Sequence, residues 1–380
     1  MQNPFQYGKV VSDAYFTDRE EEFASIVAEV KNRHNLVMYS PRRYGKTSLL
    51  LKITQEMKAR GWNVIYLDFY RVTSLHAFIE IYAREVFYQS DNKWKSGLKK
   101  IASLVKGIHP VVSIDSLGNP AFSISFDPVA DLPQTLESVL NLTEVLNSKQ
   151  KWLVIFDEFQ EITKLNGMGF DNHLRSVIQH HQKSSYIFSG SRYHMLMELF
   201  NQPKKAFYRF GKMMHLDKIP VELMKAFLIE RFASTGIKLG EDIAQAIIDR
   251  ADNIPNYVQF IAAETWQLVW LNKSSLSLEL VDQAVQTVLD NQKDYFMQIW
   301  DTLSIQQKKT LVALSKDNSN PYSLDYQKLH NLGATSTIQG AIKRLIADEI
   351  IVFDTDVYLF SDPLFKLFIQ LRIVALRRFT

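Results

Sequence analysis

Residues 35–51, NLVMYSPRRYGKTSLLL, set an apolar run against a loop carrying Gly45, Lys46 and Thr47, and a helix-forming stretch follows at once. A chain that passes so quickly from strand through tight loop to helix turns backbone N–H groups and a helix N-terminus toward one point, which suits an anion. Lys46 in that setting reaches the β- and γ-phosphates of a nucleotide, and the Thr47 hydroxyl holds magnesium. Ser40, Pro41, Arg42, Arg43, Tyr44, Gly45, Lys46, Thr47 and Ser48 are therefore read as a phosphate loop, with ATP or ADP and Mg2+ as its ligands. One position departs from the spacing G-x-x-x-x-G-K-[ST], because Ser40 stands where a glycine is expected. Close approach of backbone to phosphate concentrates at Gly45, so serine is tolerable where the loop begins.

A second motif strengthens this reading. Residues 152–161, WLVIFDEFQE, run through bulky apolar side chains into the paired carboxylates Asp157 and Glu158, as a buried parallel strand does. Ligands of open α/β sheets sit at the carboxyl ends of the strands. Asp157 delivered there orients water on the Thr47-bound magnesium, and Glu158 orients or deprotonates the water that attacks the γ-phosphate.

With 46% hydrophobic and 12% aromatic residues in 380, the chain can bury a substantial core and is expected to form two or three domains. A net charge of +3 provides no global basic field for nucleic acid, so any such binding needs a local patch. The absence of cysteine removes disulfides, thiolate zinc sites and cysteine nucleophiles and fits a reducing compartment. No apolar run approaches the ~20 residues of a membrane span, and MQNPFQYGKVV does not read as a signal peptide. The expectation is a cytoplasmic protein without a membrane partner.

Hydrophobic spacing predicts helices flanking a sheet of few, short strands. After the phosphate loop come a helix over 48–60, a strand over 63–69 and a helix with Ile79, Tyr82, Ala83, Val86 and Phe87 on one face. A basic helix around 94–106 and a hairpin over 111–126 follow as an insertion. The 63–69 strand is expected to separate the two motif-bearing strands. Strands at 186–188 and 213–216 complete the sheet, with Ser189, Gly190 and Ser191 either placing a hydroxyl near the γ-phosphate or forming a plain turn. Asn253, Ile254 and Pro255 turn one helix into another. Helices over 303–314 and 326–332, a third capped by Thr335, Ser336 and Thr337, and a hairpin over 350–360 form the pattern of a winged helix-turn-helix. The expected domains are an ATPase core over 1–218 with an insertion at about 91–131, a helical lid over 219–292 and a winged helix over 293–380.

These residues resemble the archaeal-type branch of the STAND and AAA+ P-loop ATPases, found in archaea and bacteria and distantly similar to the origin-recognition ATPases. The resemblance rests on Phe16 with Asp18, Arg19 and Glu20, the stretch 40–49, Asp157 and Glu158, Ser189 to Ser191, Tyr208 to Phe210, Asn253 to Pro255, and Asp362 to Phe365. It implies an α/β fold of AAA+ (ASCE) type, a parallel sheet flanked by helices and followed by the lid and winged helix. It further implies that Phe16 and Arg19 lie beside the adenine, that Ser191 is a polar sensor, and that Pro255 contacts nucleotide from the lid. Arg209 is either an arginine that senses the γ-phosphate, in cis or across an interface of a nucleotide-dependent homo-oligomer, or a surface ion pair. Arg42 and Arg43 either touch phosphate or lock the loop to an acidic neighbour.

The function expected is slow ATP hydrolysis driving a molecular switch that controls packing of the winged helix and binding of a protein partner. The alternative is a DNA-associated ATPase reading a groove with Thr335, Ser336, Thr337, Gln339 and Lys343. Asp354 and Asp356 at the hairpin tip would repel phosphates and favour the protein partner. Lys99, Lys100, Lys106, Arg372, Arg377 and Arg378 form either a basic patch or a solvated face. His173, His180 and His181 lack a zinc-site spacing and are read as helix surface.

Overall fold

The structure, a computed structural model, describes residues 2–8, 17, 19–89, 105, 107–114, 120–127, 131–146, 150–354 and 356–374. Phe16 and Asp18, the basic helix expected around 94–106 apart from Val105, and Arg377 and Arg378 lie outside the described residues. The described chain forms two compact units, one made of 19–41 and 45–217, the other of 2–8, 42–44 and the residues from 218 onward.

The first unit contains α1 (Glu20–Lys31), β1 (Leu36–Tyr39), α2 (Lys46–Ala59), β2 (Asn63–Asp68), α3 (Leu75–Gln89), the hairpin β3 (Ile108–Ile114) and β4 (Pro120–Phe126), then β5 (Trp152–Asp157), β6 (Ser184–Gly190) and β7 (Lys212–His215). The five parallel strands of the main sheet lie in the order β2-β5-β6-β1-β7. Every residue of β5 and β6 is buried, which accounts for the unbroken apolar run that ends in Asp157. At the edge, β7 leaves Lys212 and His215 in solvent.

Spatial order departs from the sequence expectation at one point. The strand between β1 and β5 is β6, whereas β2, the 63–69 strand, pairs outside β5. A parallel connection needs a helical crossover that can pass over neighbouring strands, so chain order does not fix sheet order. The outcome brings Ser189 and Gly190 between the two motif-bearing strands.

One face of α3 buries Phe78, Ile79, Tyr82, Ala83, Val86 and Phe87, the helical stripe its spacing calls for. That face joins an aromatic core in which Phe69 meets Phe156 edge-on at 5.5 Å and Phe159 meets Phe188 at 4.7 Å. Phe159 is fully buried, and truncating such a ring costs about 3–5 kcal/mol. Glu158 is thereby held between two buried neighbours, Asp157 and Phe159.

In the second unit, helices Val221–Ala233, Glu241–Arg250, Pro255–Asn272 and Leu278–Asn291 share a single core with Ile305–Lys316, Thr335–Ala347 and Pro363–Phe368. The N-terminal residues 2–8 join it rather than the sheet. Phe5 buries beside Phe232 at 5.0 Å and Tyr7 stacks on Phe260 at 4.0 Å. Pro255 opens its helix at the first turn, where a missing N–H costs nothing. The winged-helix pattern is complete, with helices Ile305–Lys316, Leu324–His330 and Thr335–Ala347 before the hairpin β8 (Ile351–Asp354) and β9 (Val357–Phe360). The expected cap at 335–337 is not formed. Ala334 is the N-cap, and the Thr335 hydroxyl instead accepts from Gln327 Nε2 at 2.9 Å.

Candidate functional site

Between β1 and α2 the chain turns through positive φ at Arg43 (71°) and Gly45 (90°), whereas Ser40 keeps a negative φ. Nothing in the backbone therefore demands glycine at Ser40. A Cβ added at Gly45 would meet no atom within 4 Å, so backbone freedom alone explains the glycine there. No side chain caps α2, which leaves its first turn suited to an anion.

Lys46 is the hub. Its Nζ lies 3.0 Å from Glu158 Oε1 and 3.2 Å from Asp157 Oδ1, with side-chain exposures of only 7%, 15% and 7% for the three residues. Asp157 Oδ1 also accepts the Glu158 backbone N–H at 3.0 Å, while the Tyr66 hydroxyl donates to Oδ2. Burial pushes the Asp157 carboxyl up, but the Lys46 charge and the Tyr66 hydrogen bond outweigh it and hold Asp157 below the usual carboxylate range.

Glu158 sits in left-handed backbone, φ 50°, a conformation a non-glycine residue keeps only where its surroundings enforce it. The buried Phe159 supplies part of that enforcement, and the carboxylate supplies more. Its Oε2 accepts from the Ser191 hydroxyl at 2.8 Å, the Ser191 N–H at 3.3 Å and Gln160 Nε2. Burial again pushes the acid up, and the Lys46 charge with these donors brings it below its ordinary value.

Three contributors escaped the sequence reading. Gln160 and Tyr66 hold the two carboxylates. Asp68 lies opposite Asp157 in the β2–β5 register, and burial, reinforced by the charges of Asp157 and Glu158, raises its carboxyl. The alternation of NVIYLD does place Tyr66 and Asp68 on one face of a strand, but their partners depend on the sheet order. Buried oxygens without a protein hydrogen bond also gather around these strands: Ser40 Oγ, Ser189 Oγ and Gln160 Oε1.

The other expected residues are placed as follows. Ser191 joins Glu158 directly. Arg19 is buried and donates to Glu22 Oε1 at 2.7 Å and to the Asp217 carbonyl at 2.5 Å, so it ties α1 to the segment after β7. Arg209 is exposed, with its guanidinium 5.2 Å from the Tyr208 ring centre, and it bonds to none of Lys46, Asp157 and Glu158. In the second unit Arg42 pairs with Glu349 at 3.0 Å and Arg43 with Asp362 at 3.3 Å, the latter guanidinium also lying 4.7 Å from the Tyr257 ring centre. Each loop arginine thus has an acidic neighbour, and Arg43 also donates to the Tyr257 hydroxyl. His181, pushed down to about 4 by burial, bonds Tyr186 at 2.6 Å and Asn141 at 3.1 Å. Among the described residues no group of three or more histidine, aspartate or glutamate side chains could hold a metal.

A parallel sheet of this order, with a lysine at the loop–helix junction facing paired carboxylates, defines the class: a P-loop ATPase core, here followed by a winged helix. The chain belongs to the family of ATPase domains found predominantly in Archaea, whose profile matches residues 16–259, and residues 294–371 match the family described as a probable winged helix domain. Among solved structures, the Walker-type ATPase PABY2304 of Pyrococcus abyssi is similar over 97% of this chain and 100% of its own, with TM-score 0.67 and 15% identity. The Aeropyrum pernix ORC2 protein in its ADPNP–ADP complexes is similar over 97% of this chain and 99% of its own, with TM-score 0.55 and 13% identity. No curated protein matches the sequence.

Proposed function

We propose that this ATPase is a slow, magnesium-dependent nucleotide switch, in which ATP bound at the start of α2 alters the hold of Lys46 on its carboxylates and the winged helix passes the change to a protein partner. The observation that carries the reading is Lys46 bridging Asp157 and Glu158 at an uncapped helix start. The donors suit magnesium. Thr47 and Asp157 offer hard oxygens, and too few for a closed protein cage, which agrees with a metal completed by phosphate oxygens and water. Bound magnesium would neutralise charge developing on the phosphates.

The protein's own part follows from the geometry. An entering phosphate competes with Glu158 Oε1 for Lys46, while Ser191 and Gln160 keep Oε2 in place. Oε1 then orients the attacking water. With Lys46 drawn to phosphate, burial acts on Glu158 with less opposing charge, which favours proton acceptance from that water. Exposed Arg209 suits action across an interface between copies. The loop arginines Arg42 and Arg43, paired with Glu349 and Asp362 of the winged helix, are the elements we assign to signal output.

Exposure of Ser336, Gln339 and Lys343 along one helix supports the alternative reader of DNA. The test is steady-state ATP hydrolysis with and without duplex and single-stranded DNA at two salt concentrations. Slow turnover indifferent to DNA is expected. Strong, salt-sensitive stimulation would promote the DNA reading, and no hydrolysis would remove the enzymatic one.

A further inference from the structure

We propose that Tyr66 is a positioning residue for the magnesium site, fixing the Asp157 carboxylate from the side opposite Lys46; the inference rests on the nucleotide reading above. On parallel strands in register, Tyr66 pairs with Ile155 and Asp68 with Asp157. Side chains two residues apart share a face, so the Tyr66 ring runs forward along the sheet toward the strand end where Asp157 stands. Its hydroxyl donates to Oδ2. The other oxygen, Oδ1, is taken by Lys46 Nζ at 3.2 Å and the Glu158 N–H at 3.0 Å.

These contacts divide the work. The Glu158 N–H comes from the chain itself, and Lys46 is the group for which phosphate competes. When Lys46 shifts toward a nucleotide, Tyr66 becomes the one side chain in this set whose hold on the carboxylate does not depend on the ligand. An ordinary phenol is protonated at neutral pH, so the Tyr66 hydroxyl donates to Oδ2 whether or not nucleotide is bound. Neighbouring Asp68 has its Oδ1 engaged by the Tyr70 N–H at 2.9 Å. It lies on the same face as Tyr66 and opposite Asp157 in the register. Without the tyrosine hydroxyl, Oδ2 would lose this donor and the carboxylate could swing.

Outer-shell partners of metal ligands are worth on the order of 10–100-fold in metal affinity. The test is fluorescent-ATP binding by the full chain and its Tyr66→Phe variant, first in EDTA and then across a magnesium titration. Equal affinity in EDTA with magnesium half-saturation raised on the order of 10-fold or more in the variant is expected. Equal half-saturation in both proteins would overturn the proposal, as would weaker binding in EDTA, because a general structural role moves both readouts. If the wild type binds nucleotide without any magnesium dependence, the magnesium reading itself fails and the inference with it. Should Tyr66→Phe not fold, Tyr66→His, which keeps a donor, is expected to fall between wild type and Asp157→Asn in half-saturation. A Tyr66→His value equal to that of Asp157→Asn would overturn the proposal.

Discussion

Replacing Lys46 by methionine tests the electrostatics of the site without any nucleotide. The substitution keeps most of the side chain's length and removes its charge, leaving Asp157 and Glu158, at 7% and 15% exposure, without their shared ammonium. Removing one partner from a buried ion pair costs about 3–5 kcal/mol. Tyr66, Ser191, Gln160 and a backbone N–H still hydrogen-bond the two acids, so the lower end, about 3 kcal/mol, is expected. In a domain of about 150–250 residues each kcal/mol moves Tm by about 2–4 °C, which makes the expected loss about 6–12 °C.

The sign of the pH dependence separates this account from simple loss of packing. In the parent both acids are held below their ordinary values; their contribution is present above the ordinary carboxylate range and lost as pH falls through the lowered values. In Lys46→Met, burial acts without the ammonium and pushes the acids up. Their cost is then greatest when they are ionised and is relieved as pH falls through the raised values. The Tm gap between variant and parent should therefore be widest at neutral pH and narrow by about pH 5. Thermal unfolding followed by circular dichroism or calorimetry measures both quantities. A variant as stable as the parent, or a gap constant across that range, would refute the reasoning.

Glu158→Gln should retain nucleotide and lose about 10²–10⁴-fold in hydrolysis, read by binding and phosphate release; equal turnover would remove Glu158 from the mechanism. Arg209→Ala should lower turnover and leave binding intact, and a wild-type rate per chain that rises with protein concentration would place that arginine at an interface. In Gly190→Ala the new Cβ would stand 2.2 Å from Gln160 Oε1 and 2.7 Å from Leu196 Cδ1, so about 1–3 kcal/mol of stability should be lost. Adding Gln160→Ala should restore part of that stability but not the turnover.

Much of this site is local in sequence, and that part was legible. The turn at Gly45, the start of α2 and the carboxylates ending β5 each follow from a few adjacent residues whose spacing carries a physical reason. For Ser191 the spacing alone left a plain turn open, and only the family resemblance singled it out; the structure places its hydroxyl on Glu158. What hid Gln160, Tyr66 and Asp68 is that each matters through a partner on another strand or beyond a turn. Gln160 reaches back to Glu158 only because the chain folds over at positive φ, and Tyr66 meets Asp157 only because β2 pairs with β5 rather than with β1. The grouping of residues 2–8 with the C-terminal helices escaped for the same reason. Phe5 and Tyr7 have no periodic pattern around them, and their burial depends on Phe232 and Phe260 far along the chain.

In the proposed switch, Lys46 would let one site serve both stability and switching. A ligand shifts a conformational equilibrium only by its differential interaction with the two states. Here one ammonium is shared by two carboxylates, and a phosphate entering at α2 would draw on the same charge. On the proposed reading the nucleotide state would be written into the position of Glu158, whose Oε2 would stay tethered to Ser191 while Oε1 is released. A lysine paired with one carboxylate could bind phosphate equally well. In the proposed switch the second carboxylate, set in strained backbone beside a buried phenylalanine, would convert binding into a change at the residue we assign to the attacking water.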